Sequence, residues 1–544
     1  MQRLEERKPA RSAWALSLAM MGIVLCEAGS LLAQGVAKQI PVPPPPMGWS
    51  SWNSFSNTVD SQVIADQARA MVSTGMAKAG YQYVNIDEGW WLGARDAEGN
   101  ILVDAKTWPA LAPGDHPGDM ASIVRFIHGL GLKAGIYTDA GMDGCSMYPD
   151  LGPPIPHVGS EGHYEQDFLQ FAKWGFDYVK VDWCGGDKEK LDPAVQYAEI
   201  ARAIAKAGAA TGHRLYFSLC EWGNNSPWTW ASNVGGASAD IWRTSGDIVA
   251  PIVPHREHSG RLASFPGVLS NFDQGIHPEA EHTGFYNDPD MMVVGMPGLT
   301  DAQNRVHMSL WAISAAPLLV GADLTTLSDA TRATLTNPDV LAVDQDSLGL
   351  QGVKVASQGN GLEVWSKALS APGERAVLLL NRTGDAASIA AHFVDLGLDD
   401  SAATVRDLWS GKDLGSFNSS YFATVASNDA VLIVVRGRES KQTIYSPSAG
   451  GGMNKGQETG FAHVSSRVPM ARVRVAYRNP GNAPRYAELR VNGRIATRIA
   501  FPPTGSEPGV IWIQALLDRT GDGNVLDFSP LSDPGPAIEL IAVE

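Results

Sequence analysis

The first two thirds of the chain alternate short apolar runs with longer amphipathic segments. Between the runs, apolar residues recur at the three- and four-residue spacing of helices, over 60–79, 119–130, 163–174, 193–209 and 301–315. The runs have the length of strands and lie at 47–52, 81–87, 133–139, 177–182, 215–221, 241–244, 291–295 and 317–320. Eight strand–helix units predict an α/β fold with a closed (β/α)8 TIM barrel over 47–345, which we favour over an open doubly wound sheet.

The pattern changes near residue 349 to short alternating strands separated by turns. Over 349–437 this pattern predicts an antiparallel β-sandwich. A polar interval with three consecutive glycines follows, and we interpret 438–457 as a linker. Alternation then returns, which predicts a second β-rich module over 458–544.

The N-terminus has the pattern of an export signal. Basic residues precede an apolar run at 13–25 that is too short for a comfortable membrane span, and small residues follow it. We predict a signal peptide over 1–33, a proline-rich linker over 34–46 and a secreted or periplasmic protein without a membrane span. A lipoprotein modified at Cys26 and a retained N-terminal anchor are the alternatives, although the bulky Leu25 argues against lipidation.

Composition and charge limit the kinds of molecule that the protein can bind. The chain has 544 residues, with 42 Lys and Arg against 58 Asp and Glu, which gives a net charge of −16. This charge repels nucleic acid and anionic lipid, so we expect neither as a partner. Apolar residues make up 44% of the chain and charged residues 18%, and this composition excludes a chain that is disordered over its whole length. The 16 tryptophans favour a ring-shaped ligand such as a sugar. The oligomeric state stays open.

In a (β/α)8 barrel the functional site lies at the C-terminal ends of the strands. Those ends carry carboxylates, two cations and tryptophan rings, which suit a neutral polyhydroxylated ligand. We therefore expect a carbohydrate substrate. The candidates in chain order are Trp52, Asp87, Glu88, Tyr137, Lys180, Asp182, Glu221, Arg243 and Asp247.

Two of these carboxylates are candidates for catalysis. Lys180 and Asp182 lie two apart in a predicted strand and point to the same side, so the ammonium should lower the pKa of Asp182 and keep it ionised, as a nucleophile requires. Asp247 follows the strand two places further round the barrel, where its side chain can converge on Asp182. The spacing fits a gap of about 5 Å, for retention, or about 6.5–9.5 Å, for inversion. A rim network of salt bridges with Lys180 and Arg243 is the structural alternative.

Seven segments in order resemble the α-galactosidases of glycoside hydrolase family 27. They are MGWSSWNSF, NIDEGWW, GIYTDAG, YVKVDWC, SLCEWG, WRTSGDI and YNDPDM. The resemblance covers about 43–381, with 437 as its outer limit. It implies a retaining double displacement without a cofactor, with Asp182 as nucleophile and Asp247 as acid/base. It makes Trp52 the sugar platform and Tyr137 a support for the nucleophile. The remaining implied contacts are Asp87 and Glu88 to the 4- and 6-hydroxyls, Lys180 to the 3/4 side, Glu221 and Arg243 to the 2/3 side, and Met291 as an apolar wall.

Glu88 and Glu221 bear on the choice of sugar. Many relatives carry Asp at the position of Glu88, and one more methylene carries the carboxylate about 1.5 Å further. That reach could crowd the hydroxymethyl group of galactose, so a β-L-arabinopyranosidase is the close alternative, because arabinopyranose lacks C6. Glu221 leaves little space for an acetamido group and argues against an N-acetylgalactosaminidase.

Two other functions use the same residues differently. Asp182, Glu221 and Asp247 could chelate Mg²⁺ while Lys180 abstracts a proton next to a carboxylate. A glycosidase would instead keep its activity in the presence of a chelator. A sugar-binding protein with an inactive barrel would lack a catalytic carboxylate, and this chain has both. The histidines show no ligand spacing, so we propose no metal site.

Removal of the signal would leave three cysteines. Cys145 and Cys184 follow neighbouring strands, and we expect them to pair in an oxidising compartment. The 39-residue loop would add about 4 kcal/mol of stability, and the family places a disulfide there too. Cys220 should be a buried free thiol. The C-terminal module, with YAELRVNGR, resembles carbohydrate-binding β-sandwich modules, and we assign no binding residue in it.

Several other residues have a plain structural interpretation. We interpret Asp139, Asp288 and Asp290 as loop residues that cap turns and helices rather than as ligands. The polar stretch 518–524 is interpreted as a turn rather than a calcium loop. Four tryptophans could either line subsites or fill the space between barrel and loops: Trp90, Trp91, Trp222 and Trp242.

Overall fold

The computed structural model describes residues 38–147, 159–233, 238–248, 262–448, 457–517 and 521–544. The predicted signal peptide lies outside these ranges, as do residues 34–37 of the proline-rich linker, 449–456 of the glycine-rich interval and 518–520 of the polar stretch interpreted as a turn. In the ranges described, no helix combines the length and the apolar character that crossing a membrane would require.

Eight parallel strands form a curled sheet that closes into a TIM barrel. In chain order, β1 is Lys38–Gln39, and the barrel strands are β2 Met47–Ser50, β3 Tyr83–Asn85, β4 Lys133–Asp139, β5 Tyr178–Asp182, β6 Tyr216–Leu219, β7 Ile241–Arg243, β8 Tyr286–Asp288 and β9 Leu318–Val320. Strand β9 pairs with β2, so that Val320 lies opposite Trp49. Between β8 and β9 the seam is closed by Met292, whose N–H donates to the carbonyl of Leu319 at 2.7 Å.

Most of the helices cover the outside of the barrel. The helices are α1 Trp52–Phe55, α2 Ser61–Ser73, α3 Met76–Ala79, α4 Ala121–Gly129, α5 Tyr164–Trp174, α6 Cys184–Glu189, α7 Pro193–Thr211, α8 Phe265–Gln274, α9 Asp301–Ser314, α10 Asp329–Leu335 and α11 Pro338–Asp344. Helix α2 shows how the sequence directs them: the Asp60 carboxylate accepts from the Val63 N–H at 2.7 Å and caps the first turn. Ile64, Ala68 and Met71 then bury one face completely.

The seventh barrel strand differs from the prediction. The apolar run at 291–295 was expected to form it, but the strand is β8, and Asn287 pairs with Trp242. The chain leaves the sheet at Pro289 and turns at Asp290, whose φ is 111°. Met292 to Val294 are fully buried all the same, and Met292 forms an isolated parallel bridge to Val320 of β9. The prediction was wrong because an apolar run reports burial, and a buried loop gives the same signal as a buried strand.

The barrel interior is a column of aromatic and apolar side chains. Tyr83, Tyr178 and Tyr216 come from the starts of their strands, and their ring centroids lie 5.6–6.2 Å apart. The same cluster continues to Trp52 and Met291 at the other end of the barrel. Above this packed floor, at the C-terminal ends of the strands, lies the cavity described below.

An antiparallel β-sandwich follows the barrel. A six-stranded sheet has the order β10-β11-β12-β17-β14-β15, and β13 and β16 form a separate pair. The strands are β10 Val353–Ser357, β11 Leu362–Ala368, β12 Glu374–Asn381, β13 Ala387–His392, β14 Ala402–Asp407, β15 Lys412–Asn418, β16 Ser420–Val425 and β17 Asp429–Arg436.

The C-terminal module is a second pair of sheets, with four and five strands. Its strands are β18 Thr443–Tyr445, β19 Thr459–Ser466, β20 Met470–Arg478, β21 Arg485–Val491, β22 Arg494–Phe501, β23 Gly509–Leu516, β24 Gly521–Pro530 and β25 Ala537–Val543. The five-stranded sheet ends in β1 on one side and β18 on the other. Both intervals interpreted as linkers thus contribute a short strand, because sheet edges offer unpaired N–H and C=O groups to any adjacent extended chain.

The module also rests against the rest of the chain. Gln514 Nε2 donates to the carbonyl of Gln351 after the barrel at 2.6 Å, and the side chains of His282 and Thr497 lie 3.0 Å apart. The guanidinium of Arg375, in the first sandwich, is fully buried and lies 3.2 Å from the carboxylate of Glu544. These contacts attach the module to the barrel and to the first sandwich.

Candidate active site

The structure places all ten predicted site residues at the C-terminal ends of the barrel strands. Trp52 follows β2, Glu221 follows β6, and Met291 follows β8. A cavity at this end is lined by Asp87, Lys180, Arg243 and Met291 among others. Most of the ten are at least nine-tenths buried; the exceptions are Lys180 and Asp247, with 17% and 41% of their side chains exposed.

Lys180 links two carboxylates. Its ammonium donates to Asp87 Oδ2 at 3.0 Å and lies 3.5 Å from Asp182 Oδ2. Burial alone would lower the pKa of Lys180, but the charges of Asp87 and Asp182 outweigh burial, and the pKa lies well above its usual range. Lys180 therefore stays charged at any working pH.

Asp182 is held by its own strand end. The Trp183 N–H donates to Asp182 Oδ1 at 3.1 Å, and the Lys180 ammonium faces the other oxygen. Burial raises the pKa of Asp182, Lys180 opposes that shift, and the negative charges of Asp87 and Asp247 add to it. The expected effect of Lys180 is present, but burial outweighs it, so the net direction is opposite to the sequence-based expectation. Asp247 is close enough to contribute to this field.

Arg243 fixes the second catalytic candidate. Its Nη2 donates to Asp247 Oδ1 at 3.1 Å and to the carbonyl of Ser245 at 2.9 Å. Its Nη1 lies 3.0 Å from Asp290 Oδ1. The buried Asp290 also accepts from the Ile248 N–H at 2.9 Å, which ties the segment carrying Asp247 to the barrel.

Asp290 makes a contact in the site that the sequence did not predict. It was interpreted as a loop residue, yet its carboxylate holds Arg243, which in turn holds Asp247. The pairing brings together the end of β7 and the turn after β8, and neither periodicity nor spacing carries information about such a contact. The positive φ of Asp290 is a further sign of a constrained position.

Glu221 is oriented by one neighbour. Its Oε2 accepts from both the backbone N–H and the Nδ2 of Asn225, each at 2.8 Å. Its Oε1 is buried and has no hydrogen-bond partner among the described residues. Burial raises the pKa of Glu221 to about 7, against the opposing effect of Asn225. One buried oxygen thus stays available to a ligand hydroxyl.

Glu88 is held by a loop from the next strand. Its Oε1 accepts from the Ser146 N–H at 2.9 Å and from the Ser146 hydroxyl at 2.6 Å. Its Oε2 is buried without a hydrogen-bond partner in the part of the chain described. Burial raises the pKa of Glu88 to about 7, although Ser146 opposes the shift. Ser146 was not predicted, because nothing in the sequence marks it.

A disulfide lies against the nucleophile candidate. Cys145 and Cys184 are bonded, as expected, with their Cα atoms 5.0 Å apart. Cys145 Sγ lies 3.6 Å from Asp182 Oδ2 and 3.5 Å from the Tyr137 hydroxyl. The sulfur of Cys145 therefore lies between the Tyr137 hydroxyl and the Asp182 carboxylate. Cys220 is a buried free thiol, also as expected, and lies 3.8 Å from Arg243 Nη1.

The structure shows the surroundings of one further aspartate and three of the tryptophans that had two possible roles. Asp139 accepts from the Gly141 and Gly185 N–H groups at 2.7 and 3.0 Å and so pins two loops, in keeping with a structural role. Trp90 and Trp242 are fully buried and fill space. Trp222 is half-buried at the rim, with φ at 55°.

The mouth of this TIM barrel combines two carboxylates, each beside a fixed cation, with further hydrogen-bonding groups over an apolar floor. This is the architecture and chemistry of a glycoside hydrolase. Comparison with known proteins gives the family. Residues 44–346 match the model described as alpha galactosidase A, 359–435 the alpha galactosidase C-terminal beta sandwich domain, and 459–543 the alpha-galactosidase CBM13 domain. The chain belongs to the α-galactosidase family.

Individual relatives agree with this assignment. The chain is 39% identical to an α-galactosidase of Oryza sativa subsp. japonica over 395 residues, which are 72% of this chain and 84% of that protein. It is 41% identical to α-galactosidase A of Cellvibrio japonicus over 381 residues, 68% of this chain and 86% of the relative. The crystal structure of α-galactosidase I from Mortierella vinacea superposes with a TM-score of 0.63 at 30% identity, over 73% of this chain and 98% of that one.

Proposed function

We propose that this glycoside hydrolase removes terminal α-D-galactosyl residues with retention of configuration, using Asp182 as nucleophile and Asp247 as acid/base. The observation that carries the proposal is the pairing of each carboxylate with its own cation. Lys180 lies 3.5 Å from Asp182, and Arg243 lies 3.1 Å from Asp247. The different burial of the two acids fits their different tasks: Asp182 is enclosed, while Asp247 is open to water and leaving group.

The reaction follows from this arrangement. Asp182 attacks the anomeric carbon while Asp247 transfers its proton to the departing glycosidic oxygen, and a covalent galactosyl-enzyme forms. Asp247, now ionised, removes a proton from water, whose oxygen displaces Asp182 from the same carbon. Two inversions give net retention. Lys180 favours the ionised Asp182 both before attack and after its release.

The other side chains bind the sugar in this proposal. Trp52 and Met291 supply apolar surface, as the family resemblance implies. Asp87, already bonded to Lys180, and Glu88 take one edge of the ring, while Glu221 and Arg243 take the opposite edge. Glu88 Oε2 and Glu221 Oε1 are buried and have no hydrogen-bond partner among the described residues, so each can accept a hydrogen bond from a sugar hydroxyl.

The Mg²⁺-dependent alternative conflicts with the state of Lys180. Abstraction of a proton requires a neutral amine near the working pH. Asp87 and Asp182 hold Lys180 as ammonium instead, since they raise its pKa well above the usual range. The β-L-arabinopyranosidase alternative, in contrast, is favoured by one observation, the presence of Glu88 beside Asp87.

A comparison of two substrates tests the proposal. We expect faster hydrolysis of an aryl α-D-galactopyranoside than of the matching β-L-arabinopyranoside, because the chain belongs to the α-galactosidase family. Proton NMR during the first turnovers should show α-galactose as the initial product, and EDTA should leave the rate unchanged. Initial β-galactose would disprove retention, and preference for the pentoside would transfer the assignment to the alternative.

The pH profile should expose the role of Lys180. Replacing Lys180 with Met removes the charge that lowers the pKa of Asp182, so that pKa should rise further. Because attack needs ionised Asp182, the acidic limb of kcat/KM should move to higher pH, by at least about one pH unit. The control is Lys206→Met, an exposed lysine that pairs with Glu165 on the outer helices. An unmoved acidic limb would contradict the proposed pairing.

We also propose that the enzyme acts in an oxidising compartment, secreted or periplasmic. The N-terminal pattern and the buried Cys145–Cys184 disulfide support this location. We further propose the domain limits 47–345, 349–437 and 458–544, and the positions of the sheets support this division. Carbohydrate is the expected partner of the catalytic domain.

A further inference from the structure

The carboxylate of Glu88 is engaged by a residue outside the predicted sugar site. Glu88 follows β3, whereas Ser146 lies in the short 3-10 helix Cys145–Met147 after β4. Ser146 is fully buried and directs both its donors, the N–H at 2.9 Å and the hydroxyl at 2.6 Å, to the same oxygen, Oε1. Hydrogen bonds to a carboxylate are stronger than neutral ones, so this pair fixes the side chain.

The loop is shaped for this contact. A Cβ on Gly144 would lie 2.4 Å from Glu88 Oε1, so any larger residue would displace the carboxylate from Ser146. The next residue, Cys145, is tied to Cys184 at the start of α6. The disulfide prevents the loop from moving away from Glu88.

The extra methylene of Glu88 is therefore used to reach Ser146. With Oε1 occupied, the carboxylate is turned toward the loop, and only Oε2 remains as an acceptor. That oxygen is buried and has no hydrogen-bond partner among the residues described. A buried acceptor left unpaired is costly, and a bound hydroxyl would offset the cost.

We propose that Ser146 sets the preference for hexoside over pentoside by holding Glu88 back from the space that C6 needs and presenting Oε2 to the 6-hydroxyl. This inference rests on the proposed function and goes beyond it, because it assigns the choice between the two candidate sugars to a residue outside the family motifs. Without the Ser146 hydroxyl, Glu88 Oε1 keeps only the backbone N–H of position 146 as a donor, and the side chain can swing into the pocket by about 1.5 Å, the reach of one methylene. A pentopyranose has no C6 and is not affected by that swing.

Ser146→Ala tests the inference through a ratio. We expect kcat/KM for an aryl α-D-galactopyranoside to fall about tenfold or more, while the value for the matching β-L-arabinopyranoside changes by less than about threefold. Ser160→Ala is the matched control: Ser160 is equally buried and lies beyond the same loop, but its hydroxyl contacts Thr138 at 2.7 Å. The control should leave the ratio of the two substrates unchanged.

A second variant, Glu88→Asp, distinguishes the proposed role of Ser146 from a general loss of folding. Aspartate at position 88 is too short to reach Ser146, and too short to crowd C6. In the wild-type background Glu88→Asp should therefore improve galactoside hydrolysis by less than about threefold, because Ser146 already retracts the glutamate. In the Ser146→Ala background the same change should restore most of the lost galactoside activity.

The outcomes separate the two proposals. Equal losses on both substrates in Ser146→Ala, or no rescue by Glu88→Asp, would overturn the role of Ser146 while leaving the galactosidase assignment intact. A wild-type enzyme that hydrolyses neither substrate would refute the proposed function itself. A restored ratio in the double variant cannot arise from a merely structural effect of Ser146, since that effect would persist.

Discussion

Replacing Asp182 with Ala should lower kcat for an aryl α-D-galactopyranoside by at least about 10³-fold. The variant lacks the group that forms the covalent intermediate, so the double displacement cannot begin. Folding should survive, because burial raises the pKa of Asp182 and its removal relieves a desolvated carboxylate. Lys180 keeps its hydrogen bond to Asp87 at 3.0 Å and is not left unpaired. Steady-state rates and thermal unfolding check both parts.

Added azide makes this prediction stereochemically specific. In Asp182→Ala a small anion can occupy the vacated space and attack the anomeric carbon from the face opposite the leaving group. The product should be the β-galactosyl azide, identified by NMR. Asp66→Ala is the control, since Asp66 is half-exposed on α2 and pairs only with its neighbours Gln62 and Arg69 in the described structure. An α-azide, or undiminished turnover, would remove Asp182 from the role of nucleophile.

Replacing Asp247 with Ala should have an effect that depends on the leaving group. Galactosides with poor leaving groups need a proton during bond cleavage, and the loss for them should be about 10²–10⁴-fold. A dinitrophenyl galactoside departs without protonation, so its first step should be nearly unaffected and the covalent intermediate should accumulate. Burst kinetics and a comparison of substrates across leaving-group pKa measure this difference.

The environment of Arg243 should survive in the Asp247→Ala variant. Without Asp247 the guanidinium keeps Asp290 and the Ser245 carbonyl as partners, so the site should hold its shape. Asp273→Ala removes a half-exposed carboxylate from a surface pair with Arg382 and should change neither substrate. Equal losses for good and poor leaving groups would show that Asp247 acts in binding rather than in proton transfer.

Much of the site could be predicted because strand geometry is local. Lys180 and Asp182 share a face of β5 because side chains alternate in a strand, and both lie at the barrel mouth because parallel strands all end there. The order of the motifs gave the same residues through resemblance. The pairing of Cys145 with Cys184 followed from the neighbouring positions of β4 and β5.

The errors arose where contacts cross between elements. The run at 291–295 has strand-like composition, but the pairing of Asn287 with Trp242 decided which residues form β8. The pKa of Asp182 depends on how deeply the barrel mouth is enclosed, and a neighbouring lysine in the sequence says nothing about enclosure. Asp290 and Ser146 were missed for the same reason, since each acts through a side chain from another strand.

The sequence by itself determined the barrel, the strand ends that bear the chemistry and the two carboxylates proposed to carry it, because periodicity and strand direction act over a few residues. Only the tertiary structure decided which cation holds which acid, how strongly burial shifts their pKa values and toward which loop Glu88 turns. These properties depend on distances of 2.6–3.5 Å between residues as far apart as Glu88 and Ser146 or Arg243 and Asp290. Hydrogen bonding and desolvation change over such distances, and no pattern along the chain encodes them.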